Sequence, residues 1–159
     1  MTDVRRTDRA SRLIKASPPT LYNAFIDPEA LLKWLPPKGM SGEFFTFDPR
    51  PGGSYRMVLT YTEAGHETSG KTSADADIVD VAFIGMIPNE RVVQAVKFQS
   101  EDPSFAGTMT MAWVLTPRDG ATEVTITCEK VPPGIGKADH DRGLASSLEN
   151  LARYAEGRT

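Results

Sequence analysis

The two histidines are the first candidates for chemistry, because imidazole is the side chain that most readily exchanges protons near neutral pH. His66 stands in a polar loop between glycines, where a solvated role is expected. His140 stands in the first turn of a predicted helix, and its neighbours Asp139 and Asp141 are expected to cap the positive end of that helix. His140 is therefore the histidine retained as a candidate catalytic residue.

Three aspartates precede or enter one predicted strand, although aspartate disfavours sheets. They are Asp75, Asp77 and Asp80. A carboxyl group turned inward would have a raised pKa and could act as a general base, with Asp77 as the candidate. Solvated carboxylates at a strand edge are the alternative interpretation.

No cofactor or metal ion is predicted. His140 and its aspartates lack a second His or Cys at ligand spacing. Gly52 and Gly53 form a hairpin turn and not a phosphate-binding loop. Cys128 is the single cysteine and has no nucleophilic partner in the sequence, so we expect a small buried residue in a reducing compartment.

The composition describes an ordinary acidic protein. Of the 159 residues, 18 are Lys or Arg and 21 are Asp or Glu, giving a net charge of -3. This balance argues against a nucleic-acid partner, which requires clustered basic residues. No apolar run reaches the roughly 18 residues of a membrane span, and no signal-peptide core follows the N-terminus. We expect one soluble, cytoplasmic domain over residues 1–159.

Two short helices are predicted before the strands. Ser17 followed by Pro18 marks a helix start, and the helix should continue to Ile26. Asp27 and Pro28 repeat the signal, for a helix that ends before residues 36–37. At the other end of the chain the apolar period becomes 3.6 residues, which predicts a long helix over about 137–156.

The segment from about Gly42 to Cys128 predicts an antiparallel meander of about six strands. Side chains of alternate residues should share one face of the sheet. The residues expected to face inward from three of these strands are Tyr55, Met57, Leu59, Tyr61, Val92, Gln94, Val96, Phe98, Met109, Met111, Trp113 and Leu115. With a strand before the first helix, the order is strand, two short helices, about six strands and one long helix, an α+β fold.

An ordered set of short segments carries a family resemblance over nearly the whole chain. The segments include Ala16-Ser17-Pro18, Asp48-Pro49-Arg50-Pro51-Gly52-Gly53, Pro88-Asn89-Glu90-Arg91-Val92-Val93, Gly107-Thr108-Met109-Thr110-Met111 with Trp113, and His140 through Gly143 to Leu151. They resemble the activator-of-heat-shock-protein-ATPase-like group of the START-like (SRPBCC) superfamily.

The resemblance implies a helix-grip fold, in which an antiparallel sheet wraps around the long C-terminal helix and leaves a cavity between them. It also implies binding or transformation of hydrophobic molecules such as lipids, polyketides and plant hormones. Members of the group often carry Trp directly after the glycine of the last helix, whereas Leu144 follows Gly143 here, which predicts a roomier or differently shaped cavity.

Methionines and aromatic residues suit the wall of a pocket for an irregular apolar ligand, although plain core packing is the alternative for each of them. Gln94 is the polar insertion; it would orient a ligand, or else bond a neighbouring side chain or a buried water. Gly143 costs its helix about 1 kcal/mol relative to Ala, which suggests close approach of another backbone or room for a ligand. The predicted ligand-binding residues are Trp34, Met57, Tyr61, Gln94, Met109, Met111, Trp113, Leu144 and Leu148.

The leading hypothesis is a module that binds a small hydrophobic or amphipathic molecule. An enzyme acting on a lipid-like or polyketide-like substrate is the alternative. Gln94 and either Asp77 or His140 would then position or deprotonate the substrate, although no standard catalytic constellation is present. A co-chaperone that regulates a heat-shock ATPase is a further alternative, disfavoured because such proteins carry a separate N-terminal domain. Pairing of an exposed strand edge would give a homodimer.

Overall fold

A computed structural model describes residues 5–36, 39–61 and 76–156, with the backbone alone for Tyr61 and Ala76. The strands are β1 (Arg6–Ile14), β2 (Met40–Phe47), β3 (Ser54–Tyr61), β4 (Ala76–Ile87), β5 (Arg91–Gln99), β6 (Met109–Arg118) and β7 (Ala121–Val131). The helices are α1 (Pro18–Ile26), α2 (Pro28–Trp34) and α3 (Lys137–Ala155), with a short 3-10 helix at Pro103–Phe105. The predicted order of elements is confirmed; the 3-10 helix was not predicted.

The two short helices begin where the sequence signals indicate. The Ser17 hydroxyl caps α1 by accepting a hydrogen bond from the Thr20 amide at 3.3 Å. Asp27 caps α2 in the same way, accepting from the Glu29 amide at 3.0 Å. Each cap is followed by a proline at the first helical position, where its missing N–H costs nothing. α1 and α2 therefore form a rigid corner between β1 and β2.

All seven strands form one antiparallel sheet in the order β1-β7-β6-β5-β4-β3-β2. Strand register shifts at Phe44/Thr46 and at Phe83/Gly85, and bulges of this kind bend and twist the strands. The curved sheet packs α3 on its concave side, against β1, α1 and α2. The helix-grip architecture that the resemblance implies is the architecture observed.

The predicted inner face of the sheet is confirmed wherever its side chains are described. Burial alternates along β5, where Val92, Gln94 and Val96 are buried and their neighbours are more exposed. The described members of the predicted inward set in β3 and β6 are likewise buried, apart from the half-buried Met111. Within the described ranges, no helix combines the length and apolar character that crossing a bilayer requires.

Candidate functional site: a cavity between the sheet and α3

A cavity of about 530 Å³ lies between the concave face of the sheet and α3. Its volume falls within the range of pockets that hold small organic ligands. The residues lining it are Phe25, Leu31, Trp34, Leu35, Tyr55, Met57, Leu59, Val79, Val81, Gln94, Val96, Phe98, Phe105, Met109, Met111, Trp113, Gly134, Ile135, Gly136, Asp139, His140, Gly143, Leu144 and Ser147. Gly134, Gly136, Asp139 and Gly143 are exposed, so the cavity opens beside the first turns of α3.

Three aromatic rings form a rigid part of the cavity wall. The ring centroid of Phe25 lies 5.2 Å from Trp34 and 4.9 Å from Trp113, and the two indoles are 5.6 Å apart in an edge-to-face arrangement. The indole Nε1 of Trp34 donates to the Ala24 carbonyl oxygen at 3.0 Å, which fixes its ring. These contacts keep a broad apolar surface in place without a ligand.

Gln94 is the polar group set into this apolar wall, and it is only 4% exposed. Its Oε1 accepts a hydrogen bond from Trp113 Nε1 at 3.2 Å. Since an indole N–H can only donate, this bond fixes which end of the amide is oxygen. Among the described residues nothing bonds the Gln94 amide nitrogen, and that atom keeps some solvent access. Two N–H donors are therefore available in the cavity.

A buried carboxylate, that of Asp8, joins β1 to α3 at the opening of the cavity. The Asp8 side chain is fully buried; Arg6 Nε donates to its Oδ1 at 2.8 Å and His140 Nδ1 to its Oδ2 at 2.6 Å. Lys137 Nζ lies 3.7 Å from Asp8 Oδ1. Arg6 also donates to the Ile135 carbonyl oxygen at 2.6 Å, which ties down the segment before α3. The pair thus positions His140 in the cavity wall.

The protonation state of this pair follows from its contacts. Burial disfavours the charged form of Asp8, but hydrogen bonds from Arg6 and His140 outweigh it and hold the pKa of Asp8 below its ordinary value. An ionised carboxylate only accepts hydrogen bonds, so the proton in the short contact belongs to His140 Nδ1. In neutral His140, Nε2 then carries the lone pair. No described group bonds Nε2, and the atom keeps some solvent access.

A β-bulge gives Asp8 its position. Arg6 pairs with Val131 and Asp8 with Cys128, so β7 holds one extra residue at this point, and Lys130 there has a φ of 58°. Bulges re-aim side chains and are frequent beside functional sites. Cys128 is fully buried opposite Asp8, as expected; burial and the Asp8 charge raise the pKa of its thiol to about 12, which keeps it unreactive.

The structure brings most of the predicted site residues together. Those that line the cavity are Trp34, Met57, Gln94, Met109, Met111, Trp113, Leu144 and His140. Leu148 is buried in the core and does not line the cavity, because the cavity reaches only as far as Ser147 along α3. The side chain of Tyr61, like His66 and Asp75, lies outside the described residues.

Asp77 and Asp80 take different positions from each other. Asp77 is 7% exposed on the inner face of β4, but it does not line the cavity. Asp80 lies on the outer face, where it accepts hydrogen bonds from Arg56 and Gln99. Neither is therefore placed to act on a molecule in the cavity.

The expected carboxylate cap of α3 is wrong. Gly136 occupies the cap position, and no side chain caps the helix. Asp139 instead pairs with Arg142, and Asp141 with Lys137 at 3.0 Å, because both cations lie within one turn of their partners. In the described part of the chain, no group of three or more His, Cys, Asp or Glu residues is placed to hold a metal ion.

Gly143 leaves open space in the cavity wall. A Cβ atom built there meets nothing within 4 Å, so of the two reasons considered for this glycine, close approach of another backbone does not apply.

Replacing Gly143 with Ala should therefore raise the free energy of unfolding by about 1 kcal/mol, since the helix gains propensity and nothing clashes. Urea denaturation of both proteins measures the difference. An equal or lower stability of the variant would mean that the backbone at this position is not free to take a side chain.

A curved antiparallel sheet closed over a C-terminal helix, with an apolar cavity between them, defines the helix-grip class of START-like proteins. The profile of the family described as Activator of Hsp90 ATPase homolog 1-like protein matches residues 15–156, and the chain belongs to this family. No curated protein sequence matches the chain.

Solved structures share the fold over almost their full length. Protein CV1439 from Chromobacterium violaceum is 28% identical, with a TM-score of 0.81 over 95% of this chain and 98% of that one. Protein Ms6760 from Mycobacterium smegmatis is 15% identical, with a TM-score of 0.74 over 96% and 92%. Protein NE0264 from Nitrosomonas europaea is 20% identical, with a TM-score of 0.73 over 100% and 99%.

Proposed function

We propose that this protein binds a small hydrophobic or amphipathic molecule in the cavity between the curved sheet and α3. The observation that carries the proposal is an apolar cavity of about 530 Å³ with a buried amide nitrogen free to donate. A pocket of this kind gains affinity from apolar contact and orientation from its few polar groups.

The polarity of the cavity indicates how a ligand would lie in it. Gln94 is buried beside Trp113 and offers hydrogen-bond donors, which suit a carbonyl, ether or hydroxyl oxygen of the ligand. His140 and Ser147 line the cavity on the α3 side, and Gln94 lines it on the side of the sheet. The ligand class is therefore an apolar body with an oxygen acceptor within reach of Gln94.

Intrinsic fluorescence tests the proposal at the site itself, because the only two tryptophans of the chain, Trp34 and Trp113, both line the cavity. Titration with 1-anilinonaphthalene-8-sulfonate (ANS) should quench tryptophan emission and raise ANS emission, and both signals should saturate at one ANS per chain. Lauric acid should displace the dye. Unchanged tryptophan emission up to millimolar ANS would contradict binding in the cavity.

The alternatives keep their own tests. If the protein regulates a chaperone ATPase, a pull-down with the tagged protein should recover such an ATPase. Cytoplasmic location and a homodimer remain predictions, measured by cell fractionation and by light scattering. The enzyme alternative is favoured by one specific observation, the Asp8–His140 pair.

A further inference from the structure

Two polar side chains with complementary chemistry line the cavity. Gln94 offers N–H donors, and His140 offers an accessible Nε2 whose partner nitrogen is held by Asp8. We propose that His140 is a proton-transfer residue that enolises a carbonyl compound bound in the cavity, with Gln94 holding the carbonyl oxygen and Asp8 positioning the imidazole. This inference rests on the proposed function, since it requires a ligand in the cavity.

The step needs no further reactant. The lone pair of His140 Nε2 takes a proton from the carbon next to the carbonyl group. The electron pair of that C–H bond becomes a C=C bond, and the π electrons of the C=O bond move to oxygen, where the N–H groups of Gln94 stabilise the negative charge. Return of a proton from Nε2 to carbon restores the ketone and neutral His140. In D₂O the returned proton is a deuteron.

Asp8 makes the histidine suitable for this step. By accepting from Nδ1 it fixes the tautomer with the lone pair on Nε2, and its charge stabilises the imidazolium that forms. Arg6 and Lys137 neutralise part of that charge, while Asp139 and Asp141 are each paired with a cation of α3. Cys128, opposite Asp8, stays neutral because burial raises the pKa of its thiol.

Gln94 meets the requirement for an oxyanion donor. Its amide is oriented by Trp113 before any ligand arrives, and it lies in an apolar wall. A hydrogen bond to a developing charge is stronger in such surroundings than in water, and it needs little reorganisation as the charge develops. Gln94 is thus suited to hold the oxygen while His140 acts on carbon.

Deuterium uptake by a simple ketone tests the proposal with the intact chain. The probe is 1-indanone, an apolar aryl ketone; its binding is measured first, by displacement of ANS. The protein in D₂O should then accelerate exchange of the C2 hydrogens over buffer, followed by NMR. His140→Gln should reduce the catalysed rate about 100-fold or more, the usual contribution of a general base. His66→Gln, the same change at the other histidine, should leave the rate unchanged.

Two further variants separate chemistry from packing. Gln94→Met keeps the size of the side chain but removes the donors, and should lower the exchange rate more than it lowers the affinity for 1-indanone. Asp8→Asn should also lower the exchange rate more than the affinity for 1-indanone, because the imidazolium that forms during the step loses its charged partner. A merely structural loss would lower the affinity and the exchange rate together.

The outcomes for this inference and for the proposed function are distinct. ANS binding without displacement by 1-indanone, or displacement without accelerated exchange, overturns the proton-transfer role and leaves ligand binding standing. Absence of ANS binding overturns both. Nitrogen-15 NMR of the wild type gives a test that needs no substitution at the pair: neutral His140 should carry its proton on Nδ1, and a proton on Nε2 would overturn the role.

Discussion

Replacing Asp8 with Ala is expected to lower the free energy of unfolding by about 3 kcal/mol at neutral pH, the cost of breaking a buried ion pair. The carboxylate is fully buried, and its removal leaves Arg6 and His140 without the group that both contact. These contacts also join β1 to α3 and to the segment before it. Urea denaturation followed by circular dichroism measures the loss.

Asp80→Ala is the matched control. Asp80 also accepts a hydrogen bond from an arginine Nε, Arg56, at 2.6 Å, but on the outer face of the sheet where both side chains are partly exposed. Exposed pairs of this kind contribute less than about 1 kcal/mol. If Asp8→Ala costs no more than Asp80→Ala, burial does not strengthen the Asp8 pair.

The Asp8 contribution should disappear in acid. Because the pKa of Asp8 is lower in the folded state, its stabilising effect is present above the unfolded value of about 3.9 and is lost as pH falls through the folded value. The wild type should therefore lose stability below about pH 4 more steeply than Asp8→Asn. Asp80 and Asp102, whose pKa values are also lowered, contribute equally to both proteins.

The sequence predicts the fold well because its signals are local. Capping residues and prolines define α1 and α2, and alternation in β5 and β6 defines which side chains turn inward. Gln94 could be placed on the inner face from alternation alone. Its partner could not, because the bond to Trp113 depends on how β5 and β6 pair.

The Asp8–His140 pair was missed for a physical reason. The two residues are 132 positions apart, and β1 alternates poorly because the exposed Arg12 shares a face with the buried Asp8 and Ile14. The bulge in β7 that sets Asp8 opposite Cys128 leaves no clear sequence signal, because its residue with a positive φ is Lys130 and not the glycine or asparagine typical of that conformation. The sequence holds one hint of this position: Asp8 and the apolar Ile14 are an even number of residues apart, so their side chains are expected on the same face of β1.

Alternation and helical periodicity also do not predict which of the inward-facing residues line the cavity. Leu144 and Leu148 share one helical face, yet only Leu144 lines the cavity, because residues one turn apart contact different layers of the fold. Asp77 has the inward parity of β4 but lies beyond the cavity wall. Periodicity predicts which face is buried; the packing of α3 over the sheet decides where space remains.

Filling that space should weaken binding without harming the fold. In Gly143→Phe the new ring starts from a Cβ position with nothing within 4 Å, at an exposed residue of the cavity lining, and we expect it to cover the opening beside His140 and Leu144. It would take the place of one aromatic ring of a ligand. Burial of such a ring contributes about 1.5–3 kcal/mol, so the affinity for ANS should fall by roughly ten- to a hundredfold.

Ala145→Phe is the control, because Ala145 is an exposed residue of α3 outside the cavity lining. It adds the same ring to the same helix and should leave ANS affinity unchanged. Urea denaturation of both variants separates blocked binding from lost structure. Equal affinities of Gly143→Phe and the wild type would place the bound dye away from this part of the cavity.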